Sequence, residues 1–157
     1  LGVQARQLDA GGLAPTLQAL GARRHGVDVY LSATKLLLAQ GILVNGTLRA
    51  TQANQNGLLG FGSSKRSAHG LMPEISLAWL ARRDLALGVE WRRKPDNLNP
   101  SILGAGLRED DWADVFVAWA PGKHVSITAA WVDLGRIVPA VHPRRQTGAY
   151  LSLQVAL

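Results

Sequence analysis

The sequence is dominated by segments in which apolar residues alternate with small or polar residues. In residues 85–92, every second residue from Leu85 to Trp91 is apolar, and residues 42–51 and 149–157 repeat the pattern. A period of two places alternate side chains on opposite faces of a β-strand, and a helix has no such period. The alternation therefore predicts an all-β chain whose strands have one apolar face.

The spacing of these segments predicts about eight strands joined by connections of alternating length. The strands are expected at 1–8, 26–38, 42–53, 71–81, 85–94, 113–120, 125–134 and 147–157. Long connections at 9–25, 54–70, 95–112 and 135–146 alternate with short ones at 39–41, 82–84 and 121–124. Transmembrane barrels have short turns at one end and long loops at the other. We therefore predict one domain over 1–157, an antiparallel up-and-down transmembrane β-barrel.

Composition agrees with this prediction. The mean hydropathy of +0.05 is high for a soluble domain, yet no window reaches the roughly 18 apolar residues that a membrane-spanning helix needs. The chain has no cysteine, which leaves no disulfide or thiolate chemistry to consider.

Four tryptophans recur in a repeat of about 40 residues. Trp79 and Trp91 in one expected hairpin are echoed by Trp119 and Trp131 in the next. All four fall on the apolar face, with Trp79 and Trp119 near short turns and Trp91 and Trp131 near long loops. Outer-membrane barrels have aromatic residues at both membrane interfaces. The alternative is that these tryptophans lie in the core of a soluble β-sandwich, which would not require the alternating loop lengths.

Six charged residues fall on the polar face, which a barrel would turn inward. All six lie toward the long-loop ends of their strands: Asp28, Arg49, Glu74, Glu90, Arg92 and Asp114. Buried ions need partners of opposite charge, so we expect a lattice of ion pairs. The lattice is expected either to plug the lumen structurally or, in a wider barrel, to set the selectivity of a pore.

Motifs for catalysis or metal binding are weak. The four histidines lie in expected loops or turns without a second ligand at metal-site spacing. Ser63, Ser64 and His69 share one loop, but no third group that would orient a base is evident. The glycine-rich run 57–62 does not join a strand to a helix as a phosphate cradle would, and it is interpreted as a flexible loop tip. We expect no enzyme activity, cofactor or metal.

The formal charge of +6 resides mainly in the connections. Basic residues occur at both ends of the strands and form no single stripe with interleaved aromatic residues, so nucleic-acid binding is not expected. Cations just outside a membrane can pair with anionic lipid headgroups or lipopolysaccharide phosphates. Outer-membrane lipids, and with them lipopolysaccharide, are therefore the expected partners, through residues such as Arg144 and Arg145.

Several segments resemble an uncharacterised family of Gram-negative bacterial proteins, presumed to be outer-membrane barrels. The similarity is carried by residues 48–62 (LRATQANQNGLLGFG), 93–98, 108–124 and 150–154. Members are usually longer at the N-terminus, so the resemblance implies the C-terminal part of a longer precursor and a larger barrel. Barrels of this kind typically end in Phe, whereas this chain ends in Leu157. The resemblance implies location in the outer membrane but no functional residues.

Three functions remain open from the sequence. The first is a passive pore or channel for small solutes. The second is a closed structural or anchoring barrel whose loops 54–70 and 95–112 bind a partner protein or lipopolysaccharide. The third is a lipid hydrolase on the barrel wall, for which Ser64 and His69 are the only candidate pair.

Overall fold

A computed structural model describes residues 1–98 and 104–156 of the chain. It contains eight strands, which are β1 Gly2–Gln7, β2 His25–Leu37, β3 Ile42–Thr51, β4 Gly70–Arg82, β5 Leu85–Arg92, β6 Trp112–Gly122, β7 Val125–Gly135 and β8 Gln146–Val155. A six-residue helix, α1 Ala14–Ala19, and three 3-10 turns at Gly11–Leu13, Asn54–Gly57 and Gly104–Leu107 lie in the connections. Within the part of the chain that is described, no helix is long and apolar enough to cross a membrane.

The strands form one antiparallel sheet in sequence order, β1 to β8. Every neighbouring pair is a hairpin, as in an up-and-down barrel. The expected strands are confirmed, with bounds that differ by three residues or fewer. Among the described residues, β1 pairs only with β2 and β8 only with β7, so the sheet has two unpaired edges.

The two faces of the sheet differ in what covers them. On the apolar face, large side chains such as Val115, Val117 and Leu153 are exposed although they are hydrophobic. The buried hydrophobic cluster lies elsewhere, where Leu20 of the loop after β1 packs with Leu98 and Leu107 of the loop after β5. The chain therefore forms its small core beneath the loops and leaves its apolar face uncovered.

The sheet curls around its polar face. Arg6 of β1 donates to the carbonyl of Asn56, while the side-chain amide of the adjacent Gln55 donates to the carbonyl of Ile137, just beyond β7, at 3.1 Å. In a flat sheet β1 and β7 would be about 29 Å apart, because neighbouring strands are separated by about 4.8 Å. Two consecutive residues can reach both strands only if the sheet is strongly curved. The polar face is therefore concave and the apolar face convex.

Candidate functional site

The long loops fold over the concave polar face at the end of the sheet that carries them, here called the long-loop end. The opposite end, with the two- to four-residue connections, is the short-turn end. Residues 52–62, here called the loop plug, lie at the centre of the long-loop end. The candidate functional site consists of the loop plug, the charged residues next to it on the strands, and the apolar wall outside.

Three of the predicted charged residues meet next to the loop plug. Arg49 donates to Glu74 with an Nε to Oε1 distance of 2.6 Å, and its guanidinium lies 3.7 Å from the Asp28 carboxylate. Asp28 is almost fully buried and also accepts from Arg6. Cross-strand register explains the cluster, because these residues occupy inward positions on four neighbouring strands. The result is a continuous row of alternating charges from β1 to β4.

The other three predicted residues lie on the next two strands, β5 and β6. Arg92 pairs with Glu90 on the same strand at 3.3 Å, and Asp114 lies opposite Glu90 in the register of β5 and β6. Within residues 1–98 and 104–156, Asp114 has no ion-pair partner. Because Glu74 lies opposite Arg92 in the register of β4 and β5, the six residues occupy one continuous stretch of the polar face, although no ion pair among the described residues joins Glu74 to Arg92.

The loop plug is buried, contrary to the expectation of a flexible tip at 57–62. Phe61 is 1% exposed and bridges in antiparallel fashion to Arg23 and Ala53. Its ring packs on Gly26 of β2, where a Cβ atom would lie 2.2 Å from the ring. The expectation was wrong because the glycines were interpreted as flexibility, whereas Gly26 and the plug glycines permit close packing.

Two consecutive residues of the loop plug adopt a left-handed backbone. Gln55 has φ of 46° and Asn56 has φ of 55°. This region is disfavoured for residues with a side chain, and it persists only where surrounding contacts hold it. Gln55 has such contacts because its side chain is fully buried and every polar group on it is bonded.

Gln55 connects the loop plug to two further long loops. Its side-chain oxygen accepts from the Lys94 ammonium, and its backbone N–H donates to the Glu109 carboxyl at 2.7 Å. Lys94 also donates to the carbonyl of Leu134 at 3.3 Å, and its ammonium lies 5.5 Å from the centre of the Trp112 ring. A single glutamine therefore joins the loops that follow β3, β5 and β7.

A second network of buried hydrogen bonds joins the loop plug to the segment 94–98. The side-chain amide of Asn97 donates to the backbone of Gln52 at 3.1 Å and to the side chain of Asn54 at 3.0 Å. Asn54 in turn donates to the carbonyl of Gly62 at 2.7 Å, and Ser63 donates to the carbonyl of Asn97 at 2.8 Å. These residues are all buried. The contacts hold residues 52–63 and 94–98 together as one packed unit.

Burial shifts the proton affinities of the ionisable groups in this unit. Burial lowers the pKa of Lys94 to about 8 and raises the pKa of Glu109 to about 8. At neutral pH the lysine is therefore mostly charged and the glutamic acid mostly protonated. Nearby Asp110 behaves in the opposite way, because hydrogen bonds from Arg136 hold the pKa of its carboxyl well below its usual range.

Several buried polar atoms around the loop plug have no hydrogen-bond partner. They are Arg6 Nε, Asp28 Oδ1, Asn56 Nδ2, Glu109 Oε1 and Trp112 Nε1. An unsatisfied buried polar atom costs about 1–3 kcal/mol. The loop plug thus combines strong specific contacts with local costs in hydrogen bonding and backbone conformation.

The four predicted interface tryptophans all lie on the exposed convex face. Trp79 and Trp119 are close to the short-turn end, and Trp91 and Trp131 are close to the long-loop end. Trp119 also donates its indole N–H to Asp84 in the short turn at 3.1 Å. The structure therefore places two rows of tryptophan at opposite ends of the apolar wall.

The candidate hydrolase residues are not assembled into a catalytic pair. Ser63 is bonded to the backbone of residues 65, 66 and 97, and His69 contacts the carbonyl of Val27 at 2.8 Å. Within the described residues, neither Ser63 nor Ser64 hydrogen-bonds to His69, and no group of three or more His, Asp or Glu residues could hold a metal ion.

The sequence interpretation did not single out Arg6, Gln55, Lys94 or Glu109. Arg6 could have been found, because it follows Gly2 and Gln4 at period two in β1 and is the only basic residue on that strand. The other three lie in loops, where no periodic pattern indicates which side chains turn inward.

Comparison with known proteins identifies the family. A family model described as a protein of unknown function, DUF3034, matches residues 1–154. The chain therefore belongs to the DUF3034 family. Neither the curated proteins nor the solved structures contain a significant match to it.

Proposed function

We propose that this chain forms the wall of an outer-membrane β-barrel in a Gram-negative bacterium, sealed at its long-loop end by the loop plug. The observation that carries the proposal is the contrast between the two faces of one curved sheet. The convex face is apolar and uncovered, and the concave face is polar and filled by loops. An apolar convex face is suited to contact with lipid, and a polar concave face is suited to the interior of a barrel.

The unpaired edges of β1 and β8 require partners in this setting. A bilayer offers no hydrogen bonds to exposed strand edges, so only closed barrels are stable in it. An eight-stranded barrel has an interior just wide enough for side chains. This sheet surrounds the backbone of the loop plug as well. The proposed membrane form is therefore a barrel of more than eight strands.

The sealed end favours a structural or anchoring role over free passage of solutes. The packed unit of the loop plug and residues 94–98 spans from β1 to the residues after β7. The four long loops carry ten basic residues and five acidic residues, which suits an anionic surface. We propose that the exposed parts of these loops hold lipopolysaccharide or a partner protein.

A passive pore for small solutes remains the second candidate. Inward positions nearer the short-turn end are small or neutral, for example Ser76, Ala86 and Gly88. If the loop plug moves away, Glu90, Arg92 and Asp114 would line the passage that opens. Replacing Glu90 with Gln should then alter ion selectivity.

Conductance in planar bilayers separates the two functions. The full-length protein, whose insertion is first verified by heat-modifiable gel migration, should show no steady conductance. A variant in which residues 53–61 are replaced by a short Gly-Ser linker should conduct. Steady ohmic conductance of the unmodified protein would contradict the sealed barrel and support the pore. Failure of folded protein to associate with lipid would contradict both functions.

A further inference from the structure

An apolar trough crosses the convex face between two of the interface tryptophans. It is lined by Trp91, Ala113, Val115 and Trp131, together with neighbouring residues of β4 and β5. In the strand register Ala113 lies between Trp91 and Asp133. A methyl side chain between two larger groups creates a depression in the wall, because the surface there drops to the level of the backbone.

The trough continues down the wall toward the short-turn end. A second apolar groove shares Val89, Val115 and Trp131 with it and extends to Trp79 and Leu151. The exposed surface of both grooves is mainly apolar, although Glu90, Asp114 and Asp133 also line the trough. Together they form a path along the convex face that suits an extended hydrocarbon chain.

A polar groove adjoins the upper end of the trough. It is lined by Arg93, Arg108 and Arg145, and Trp91 belongs to both the groove and the trough. A second connection is the ion pair between Arg145 of the groove and Asp133 of the trough, at 2.8 Å. Hydrocarbon and cationic surfaces are therefore continuous at this point.

The polar groove contains two exposed arginines. Within the described part of the chain, neither Arg93 nor Arg108 has an ion-pair partner, and both side chains are exposed. Asp110 lies 2.7 Å from Arg136 and 3.8 Å from Arg145, so its charge is compensated.

The remaining acids of the groove are hydrogen-bonded within the loops. Asp96 accepts from the backbone N–H of Glu109 at 3.1 Å, and Asp111 accepts from the backbone N–H of Lys94 at 3.4 Å. Glu109 is buried and bonded to the loop plug. An anion entering the groove therefore meets the guanidinium groups of Arg93 and Arg108, with the carboxylates of Asp96 and Asp111 also in the lining.

We propose that this cleft binds an anionic lipid, with its phosphate at Arg93 and Arg108 and an acyl chain in the trough beside Trp91. Guanidinium groups bind phosphate oxygens in a bidentate manner, and two of them favour a doubly charged phosphate monoester over a singly charged diester. We therefore assign the site to the phosphate of lipid A, the acylated part of lipopolysaccharide. The assignment rests on the proposed function, because it requires the convex face to lie in lipid.

The test compares two double variants of the full-length protein in nanodiscs that contain lipid A. Arg93→Gln with Arg108→Gln removes the proposed phosphate contacts. Arg24→Gln with Lys65→Gln removes two exposed cations at the same end, outside the groove. Bound lipid A per protein is measured by native mass spectrometry. Because a hydrogen bond to a charged group contributes about 1.5–3 kcal/mol, the first variant should lose about tenfold or more in lipid A affinity, and the control less than twofold.

Several results would overturn the proposal. Equal losses in both double variants would indicate attraction to the whole basic surface, and no loss in either would remove the site. Equal retention of phosphatidylglycerol and lipid A by the unmodified protein would contradict the preference for a phosphate monoester.

Quenching of tryptophan fluorescence by brominated acyl chains reports insertion of the protein into lipid independently of lipid A binding. Normal quenching with unchanged lipid A binding overturns this site alone, whereas absence of quenching overturns the proposed function.

The acyl-chain part of the site has its own variant. Ala113→Phe fills the trough without altering any charge, and it should lower the retention of lipid A while heat-modifiable migration is unchanged. Unchanged retention in a folded Ala113→Phe protein would show that the acyl chain does not occupy the trough.

Discussion

The convex wall and the loop plug are built by opposite principles. The wall consists of hydrophobic side chains that alternate regularly, lie exposed and contact little beyond their neighbours in the sheet. The loop plug is held by buried side chains, several of them polar, that are bonded to specific partners across long sequence separations. The stability of the wall depends on the medium around it, whereas the stability of the loop plug depends on individual contacts within the chain.

This difference explains how each region should respond to substitution. In the wall, any hydrophobic residue of similar size should be acceptable, and a charge should not. In the loop plug, even a conservative change at Gln55 or Phe61 removes a contact that nothing else replaces. Substitutions paired with matched control positions test these two responses.

Phe61→Ala should have the largest effect on the loop plug. Truncating a fully buried aromatic side chain to alanine lowers the free energy of unfolding by about 3–5 kcal/mol. The control is Leu58→Ala in the same loop, where the side chain is 53% exposed. Protection of amides 52–62 from hydrogen exchange should fall sharply in Phe61→Ala and hardly change in Leu58→Ala. Equal protection in the two variants would show that Phe61 does not hold the plug.

Val117→Arg should destabilise the wall. An arginine on the lipid face near the bilayer midplane costs about 2–4 kcal/mol. Val117 lies between Leu87 and Ala129 on the central strands, and the control is Val141→Arg in an exposed long loop. The urea midpoint of the lipid-inserted protein, followed by heat-modifiable migration, should fall in the first variant only. If the two midpoints are the same, the convex face is not in hydrocarbon.

The wall was predictable from the sequence and the loop plug was not. The period of two in residues 85–92 fixes which side chains share a face whatever the tertiary structure, and the loop lengths then fix the antiparallel order. The ion pair between Arg49 and Glu74 could be predicted, because strand register alone places both side chains on the same face of neighbouring strands. Gln55 and Lys94 meet only because three loops converge over a curved sheet, and no local pattern encodes that convergence.

Two further residues illustrate the same limit. Arg6 was placed in a strand, but its role depends on Asp28 in the next strand and on Asn56 in the loop plug. Phe61 stood in a glycine-rich run that was interpreted as a flexible tip. Its burial depends on Gly26, which is distant in sequence and offers the space for its ring.

Asp28→Asn tests the row of charges next to the loop plug. Removing this charge leaves Arg6 partly buried without its ionic partner, which we expect to cost about 1–3 kcal/mol, less than a fully buried pair. Asp84→Asn at the exposed pair with Arg82 is the control and should have little effect on stability. The urea midpoint of unfolding measures the loss of stability in both variants. A larger loss for Asp84→Asn would contradict the structural role of the row.

Glu109→Gln should have an effect that depends on pH. The pKa of Glu109 is raised from 4.5 to about 8 by burial, so the packed loops bind a proton that the unfolded chain releases. Their stability therefore falls as the pH rises from about 5 to about 8. Glutamine keeps the acceptor for the Gln55 N–H and carries no proton to lose. Relative to the unmodified protein, the variant should gain stability over this range.

The same urea midpoints, taken at pH 5 and pH 8, measure this gain. The lowered pKa of Lys94 acts in the opposite direction, because stability rises as the pH rises through the pKa of a lysine whose pKa is lowered on folding. A constant difference between Glu109→Gln and the unmodified protein from pH 5 to pH 8 would show that Glu109 is ionised in the folded protein.

The central claim, that one face of a single strand meets lipid and the other faces a filled interior, can be tested by cysteine scanning of β6. The chain has no native cysteine, so each single-cysteine variant reports only its own position. In lipid bilayers, an environment-sensitive probe attached at residues 113–118 should report hydrocarbon at Ala113, Val115 and Val117 and a polar, protein-filled setting at Asp114, Phe116 and Ala118. Alternation with a period of two would support the proposed barrel wall. The same polar signal at all six positions would contradict it.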